Sequence, residues 1–117
     1  MKFPKWPFSQ RERTPKVVFA PARFIRTDAL EKDALRLRSP SCRVGRAVGN
    51  DIRFDNDTVS GHHAEIYHLP YGTFQICDLD STNGTWVNGQ RIRAVLLKNG
   101  DIVELGEVRL YFRSEKN

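Results

Sequence analysis

The chain of 117 residues has only two cysteines, one methionine and no long apolar run. No stretch approaches the roughly 20 apolar residues of a membrane-spanning helix, so a transmembrane protein is excluded. Cys42 and Cys77 are too few for a disulfide-built scaffold. Both sit in strand-like runs, which favours free, buried thiols in a reducing compartment, with a disulfide between them as the alternative. The N-terminus (Met1, Lys2, Phe3, Pro4) has no apolar segment behind its charge, so no secretory signal is expected. These absences predict a cytoplasmic location, or a nuclear one in a eukaryote. Helical periodicity is missing too: no segment carries an apolar stripe over three turns. Asp28–Leu35 reads as a loop rather than as a single helical turn. No internal repeat or low-complexity tract is present.

Acidic residues are scarce in one place. Residues 1–26 hold Lys2, Lys5, Arg11, Arg13, Lys16, Arg23 and Arg26 against Glu12 alone, a local net of +6. The whole chain carries +5, so residues 27–117 are left at −1. The basic surplus therefore does not describe the domain. Pro4, Pro7, Pro15 and Pro21 lie in the same stretch, and closely spaced prolines suit an extended leader. Residues 1–21 are read as that leader, 22–114 as one domain and 115–117 as a tail. The leader has three readings: a solvated tail, an electrostatic arm for an acidic partner, or a segment docking through Phe3, Trp6 and Phe8. Thr14, followed by Pro15 and preceded by Arg11 and Arg13, is a candidate regulatory phosphosite.

From about Ala22 the pattern is all-β. Short runs with period-2 alternation recur between turn signals. They are Ala22–Arg26, Ala34–Arg38, Cys42–Gly45, Asp51–Phe54, His63–Tyr67, Thr73–Cys77, Thr85–Val87, Gln90–Ile92, Asp101–Leu105 and Val108–Phe112. Asn88-Gly89 accommodates positive φ at both central positions of a type I′ turn, which predicts a hairpin. Val108, Leu110 and Phe112 are expected on one face, with Arg109, Tyr111 and Arg113 on the other. Many short, closely spaced strands predict a sandwich or barrel. A chain of this length holds one core and one domain.

Three polar, glycine-bearing segments lie between strands, where a rigid scaffold concentrates binding residues. They are Gly45–Ile52, Val59–Ala64 and Asp78–Thr85. Read in order, the chain supplies Gly45-Arg46, Asn50-Asp51-Ile52 and Ser60-Gly61-His62-His63-Ala64-Glu65-Ile66. Asp78-Leu79-Asp80-Ser81-Thr82-Asn83-Gly84-Thr85-Trp86-Val87-Asn88-Gly89 follows, then Leu97-Lys98-Asn99-Gly100-Asp101-Ile102-Val103-Glu104-Leu105-Gly106. These linked motifs resemble the forkhead-associated (FHA) domain family over residues 45–106. The resemblance implies an FHA-like β-sandwich of two twisted, mostly antiparallel sheets with binding loops at one end. It also implies recognition of phosphothreonine peptides.

A phosphothreonine brings about −1.5 to −2 charges and three strong acceptor oxygens. Arg46 offers a planar fork of donors suited to such a group, where a random arginine would be a surface ion-pair partner. Ser60 and Thr82 offer hydroxyls, and the Thr82 N–H is a further candidate donor to phosphate. Without the motif, Ser60 before glycine would be a turn former. The resemblance assigns Asn83 to the main chain of the bound peptide, which an amide serves by donating and accepting at once. It assigns His63, Gly45 and Gly84 to structural support of the binding loops. One departure stands out: the family commonly has arginine after the serine, and here that position is Gly61. Selectivity is expected from Asn56, Asp57 and Thr58 and from the Ser81–Asn83 loop.

Catalysis and metals have weaker support. His62 and His63 face opposite ways in an extended chain, and no cysteine or carboxylate completes a zinc set with them or His68. The nucleophile elbow Gly-x-Ser-x-Gly is absent, and Gly45–Gly49 lacks the Lys-Ser/Thr of a P-loop. The expected function is a non-enzymatic phosphothreonine-peptide-binding interaction module in Ser/Thr kinase signalling, without cofactor or metal. Its partner would be a phosphothreonine protein or the kinase. The alternatives are a phospho-independent scaffold and, last, nucleic-acid binding through the leader.

Overall fold

The computed structural model describes residues 22–28 and 33–115. The leader, with Phe3, Trp6, Phe8 and Thr14, lies outside the described residues. Among the described residues eleven strands follow one another: β1 Ala22–Arg26, β2 Leu35–Arg36, β3 Ser41–Gly45, β4 Ile52–Arg53, β5 Ala64–Leu69, β6 Thr73–Asp78, β7 Thr85–Val87, β8 Gln90–Ile92, β9 Ala94–Leu97, β10 Ile102–Leu105 and β11 Val108–Ser114. Among the described residues no helix is long and apolar enough to cross a membrane.

The strands form two sheets. One runs β2-β1-β11-β10-β7-β8 and the other β4-β3-β5-β6-β9. Period-2 alternation explains how they close on each other. In β11, Val108, Leu110, Phe112 and Ser114 are buried while Arg109, Tyr111 and Arg113 are exposed, as alternating Cβ directions require. Phe24 of β1 and Phe112 of β11 meet at 5.5 Å between ring centroids. Phe74 of β6, on the other sheet, meets Phe112 edge-on at 5.6 Å. The three rings therefore join the two sheets through the core. Each such side chain contributes about 1.5–3 kcal/mol by leaving water.

The Asn88-Gly89 turn has φ 51 and 83, so both central residues occupy the left-handed region that type I′ demands. It places Val87 opposite Gln90. Three features differ from the sequence pattern. The Ala34–Arg38 run shrinks to Leu35–Arg36, although the Leu37 N–H still donates to Ala22 O at 3.0 Å and Leu37 is buried. β4 is two residues long and lies parallel to β3, because the intervening loop doubles back. β9 forms a further strand on β6, from an apolar run without polar alternation. The two cysteines are free, and burial pushes the Cys42 thiol up to about 12.

Candidate functional site

The loops after β3, before β5 and between β6 and β7 are stitched together by hydrogen bonds. β3 ends at buried Gly45. From there the Arg46 N–H donates to Ser60 O at 2.9 Å and the Ala47 N–H to Gly61 O at 3.1 Å. Asn50 Nδ2 donates to Gly61 O and Ala47 O, each at 2.8 Å. This close approach requires glycine at 45. A Cβ there would run into the Gly61 carbonyl and stand 2.9 Å from Asn50 Nδ2.

Arg46 itself is exposed, yet its direction is fixed. Its Nε donates to Val59 O at 3.0 Å, and its own carbonyl accepts from Arg53 Nε at 2.7 Å. The guanidinium thus lies against the Val59–Ser60 backbone with its two terminal nitrogens uncommitted. No carboxylate pairs with it among the described residues.

Ser60 faces the β6–β7 loop, where its Oγ accepts the Thr82 N–H at 3.0 Å. The hydroxyl proton of Ser60 remains available to an acceptor. The Thr82 N–H, a candidate phosphate donor by sequence, is therefore spent inside the domain, and Thr82 presents its exposed hydroxyl instead. Asn83 Nδ2 donates to Thr58 O at 2.8 Å. Its carbonyl accepts from Trp86 Nε1 at 3.0 Å. One amide proton and Oδ1 of Asn83 are left to face outward. Gly84 follows at φ 86, a conformation that favours glycine.

His63 lies behind this group and is fully buried. Its Nδ1 accepts the Ser60 N–H at 3.0 Å, so Nε2 carries the proton and donates to Gly84 O at 2.9 Å. Burial pushes its pKa down, which favours this neutral form. His62, one residue earlier, is exposed. Both precede β5 rather than lying on a strand.

Asp78 shapes the β6–β7 loop. It accepts from Ser81 Oγ at 2.6 Å, Thr85 Oγ1 at 2.7 Å and the Ser81 N–H at 3.2 Å. Burial raises its pKa, but these donors outweigh it and hold the carboxyl below its ordinary value. Thr58 joins three segments: its carbonyl holds Asn83, its N–H donates to Asn56 Oδ1 at 2.9 Å, and its Oγ1 accepts the Glu107 N–H at 2.8 Å.

The structure therefore gathers Arg46, Ser60, Thr82 and Asn83 on adjoining loops, with Gly45, His63 and Gly84 beneath them. Asn50, Arg53, Thr58 and Asp78 are supporting residues to which the sequence pattern gave no such role. Asn50 and Asp78 stood inside the motifs, which was their one available signal. The Arg53 contact, and those of Thr58 with Asn83 and Glu107, have no local signature.

Comparison with known proteins points the same way. The family model for the FHA domain matches residues 42–106. The chain is 43% identical over 76 residues to the glycogen accumulation regulator GarA of Mycolicibacterium smegmatis, covering 65% of this chain and 48% of that protein. It thus spans about half the length of that relative. Among solved structures it is similar to Mycobacterium tuberculosis EmbR in complex with a low affinity phosphopeptide. That likeness has a TM-score of 0.75 and 31% identity, over 84% of this chain and 25% of that one. It is also similar to a structure from work on phosphothreonine-dependent FHA domain interactions. There the TM-score is 0.73 and the identity 29%, over 80% and 95% of the two chains. Motif order, sheet order and these likenesses agree, and the chain belongs to the forkhead-associated (FHA) domain family.

Proposed function

We propose that this FHA domain binds phosphothreonine peptides and acts as a non-catalytic interaction module in Ser/Thr kinase signalling. The observation that carries the reading is the pose of Arg46. Its Nε is tied to Val59 O at 3.0 Å, so the guanidinium is held against the Val59–Ser60 backbone, with no carboxylate among the described residues to satisfy its terminal nitrogens. Preorganised donors lose little entropy when an anion arrives. Arg46 supplies the charge-assisted contacts, and the Ser60 and Thr82 hydroxyls each donate to a phosphate oxygen. Asn83 engages the peptide main chain through Oδ1 and its second amide proton. His63 is spent as a brace, both of its ring nitrogens being engaged by the Ser60 N–H and the Gly84 carbonyl. The phosphopeptide-bound EmbR structure supports the same use of the fold.

Isothermal titration with matched threonine and phosphothreonine peptides tests the reading. Binding of the phosphorylated form alone, lost in Arg46→Ala, is the expected result. Equal binding of both forms would overturn it and favour a phospho-independent scaffold, the reading that the side-chain-free Gly61 motivates.

A further inference from the structure

Beside the Asn83–Gly84 turn lies a surface cleft of about 660 Å³, lined by Asp78, Asp80, Ser81, Arg91, Ile92 and Arg93. None of the contacts assigned above to a phosphothreonine uses it. We infer that this cleft is a second anion subsite, in which Arg91 and Arg93 read a carboxylate or a second phosphate on the same peptide. The inference rests on the proposed phosphopeptide function and extends it to the class of peptide preferred.

Four observations support it. First, Arg91 stands directly against the recognition turn: a Cβ built on Gly84 would lie 2.6 Å from Arg91 Nε and 3.0 Å from its Cζ. A peptide held by Asn83 therefore passes next to this guanidinium. Second, both arginines sit on fixed backbone. Arg91 is paired with Trp86 across the β7–β8 ladder, and the Arg93 carbonyl accepts the Asp78 N–H at 2.8 Å. Third, both side chains are exposed and neither enters an ion pair among the described residues. Fourth, the acids in the cleft form no ion pair with them. The Asp78 carboxylate is turned to the Ser81 and Thr85 hydroxyls. Asp80, exposed at φ 60, makes no ion pair with either arginine. Together the two carboxylates balance the two guanidinium groups in formal charge, so an anion here is read by the unpaired donors of the forks rather than by a net positive field. The planar forks of two arginines two residues apart suit an anion with several acceptor oxygens.

The test uses the full chain and a phosphothreonine peptide in an alanine background. Glutamate, and in a separate series a second phosphothreonine, is walked through the flanking positions. The readout is the affinity of each peptide relative to the neutral-flank parent. One register is expected to bind about tenfold tighter, the effect of a charge-assisted contact. That ratio should fall to about one in Arg91→Gln/Arg93→Gln, survive in part in the double lysine variant, and rise in Asp80→Asn. Comparing the two series identifies which anion the cleft prefers. Unfolding midpoints verify that the variants are folded. Binding of phosphopeptides without any register preference, or a preference that persists in the double glutamine variant, overturns the subsite and leaves the proposed function standing. Failure of every phosphopeptide to bind overturns both.

Discussion

The Nε2 of His63 stands 2.9 Å from the carbonyl oxygen of Gly84, 21 residues later in the chain. The opposite nitrogen of the same ring accepts the Ser60 N–H. One buried imidazole thus ties the serine loop to the turn that carries Asn83. It does so only when neutral, since a proton on Nδ1 would face the Ser60 N–H.

This brace predicts a pH dependence with a definite sign. Burial lowers the His63 pKa, while the Gly84 carbonyl and the Asp78 carboxylate pull it back upward. Below about pH 6.5 the unfolded imidazole takes up a proton that the native one resists. The unfolded state then binds more protons, so stability falls as pH falls through this window. Buried His68 acts in the same direction. Asp78, whose pKa is lowered, contributes stability that is lost only at more acid pH, below about 4. Urea unfolding of the peptide-free domain between pH 7.5 and 5 reads the loss without interference from phosphate titration. Imidazole ¹⁵N shifts should show His63 as the Nε2–H tautomer. A flat stability profile or the opposite tautomer would refute the brace.

Arg46→Ala should separate binding from stability. The side chain is exposed and makes one internal bond, Nε to Val59 O, so the unfolding free energy should fall by no more than about 0.5–1.5 kcal/mol. Hydrogen bonds to charged groups are worth about 1.5–3 kcal/mol, which corresponds to about a 10- to 100-fold loss of phosphopeptide affinity. Arg46→Lys should recover only part of it, because an ammonium lacks the planar fork. Titration calorimetry with thermal unfolding on the same samples measures both quantities. Full recovery by lysine would mean that charge alone, not geometry, is recognised.

Gly45→Ala should behave in the opposite way. The added methyl would meet the Gly61 carbonyl, which also accepts from Ala47 N–H and Asn50 Nδ2. The loops must separate, at a cost of about 1–3 kcal/mol. Arg46 and Ser60 are positioned by the same contacts, so peptide affinity should drop together with the unfolding midpoint. Unchanged affinity in a destabilised variant would show that the stitching is not what aligns the site.

The parts of this architecture visible in the sequence are those decided by near neighbours. β1, β7 and β8 follow from alternation, and the Asn88-Gly89 turn from two residues that tolerate positive φ. The outward set Arg46, Ser60, Thr82 and Asn83 could be named because its motifs are contiguous. What escaped depends on distant partners. β9 is defined by pairing with β6, not by its own pattern. Asn83 is held by a carbonyl 25 residues away, and Thr58 receives an N–H from 49 residues away. The β3–β4 pairing is parallel because a loop doubles back, which no local periodicity encodes. Charge offered the same lesson in reverse. Most of the basic total, +4 of +5, lies in residues 1–21, whereas the exposed arginines beside the loops, Arg46 and Arg91, are placed by tertiary contacts.

Gly61→Arg tests the chain's departure from the common family pattern. Two conditions must hold for the substitution to be tolerated, and both do. A Cβ at 61 would meet only Ala47 Cβ, at 3.7 Å, an ordinary contact. The backbone at 61 is not among the positive-φ glycines, so a side chain is not strained there. The variant should therefore fold normally, and the lost freedom of the unfolded chain should add about 0.4–1 kcal/mol of stability. Beside the Ser60 loop, the new guanidinium should strengthen phosphopeptide binding by about two- to tenfold, the worth of one added polar contact. The same substitution in an Arg46→Ala background should gain much less, because no phosphate is then held in place for it to reach. An equal gain in both backgrounds would show that the new arginine binds the peptide nonspecifically, and that Gly61 does not border the phosphate site.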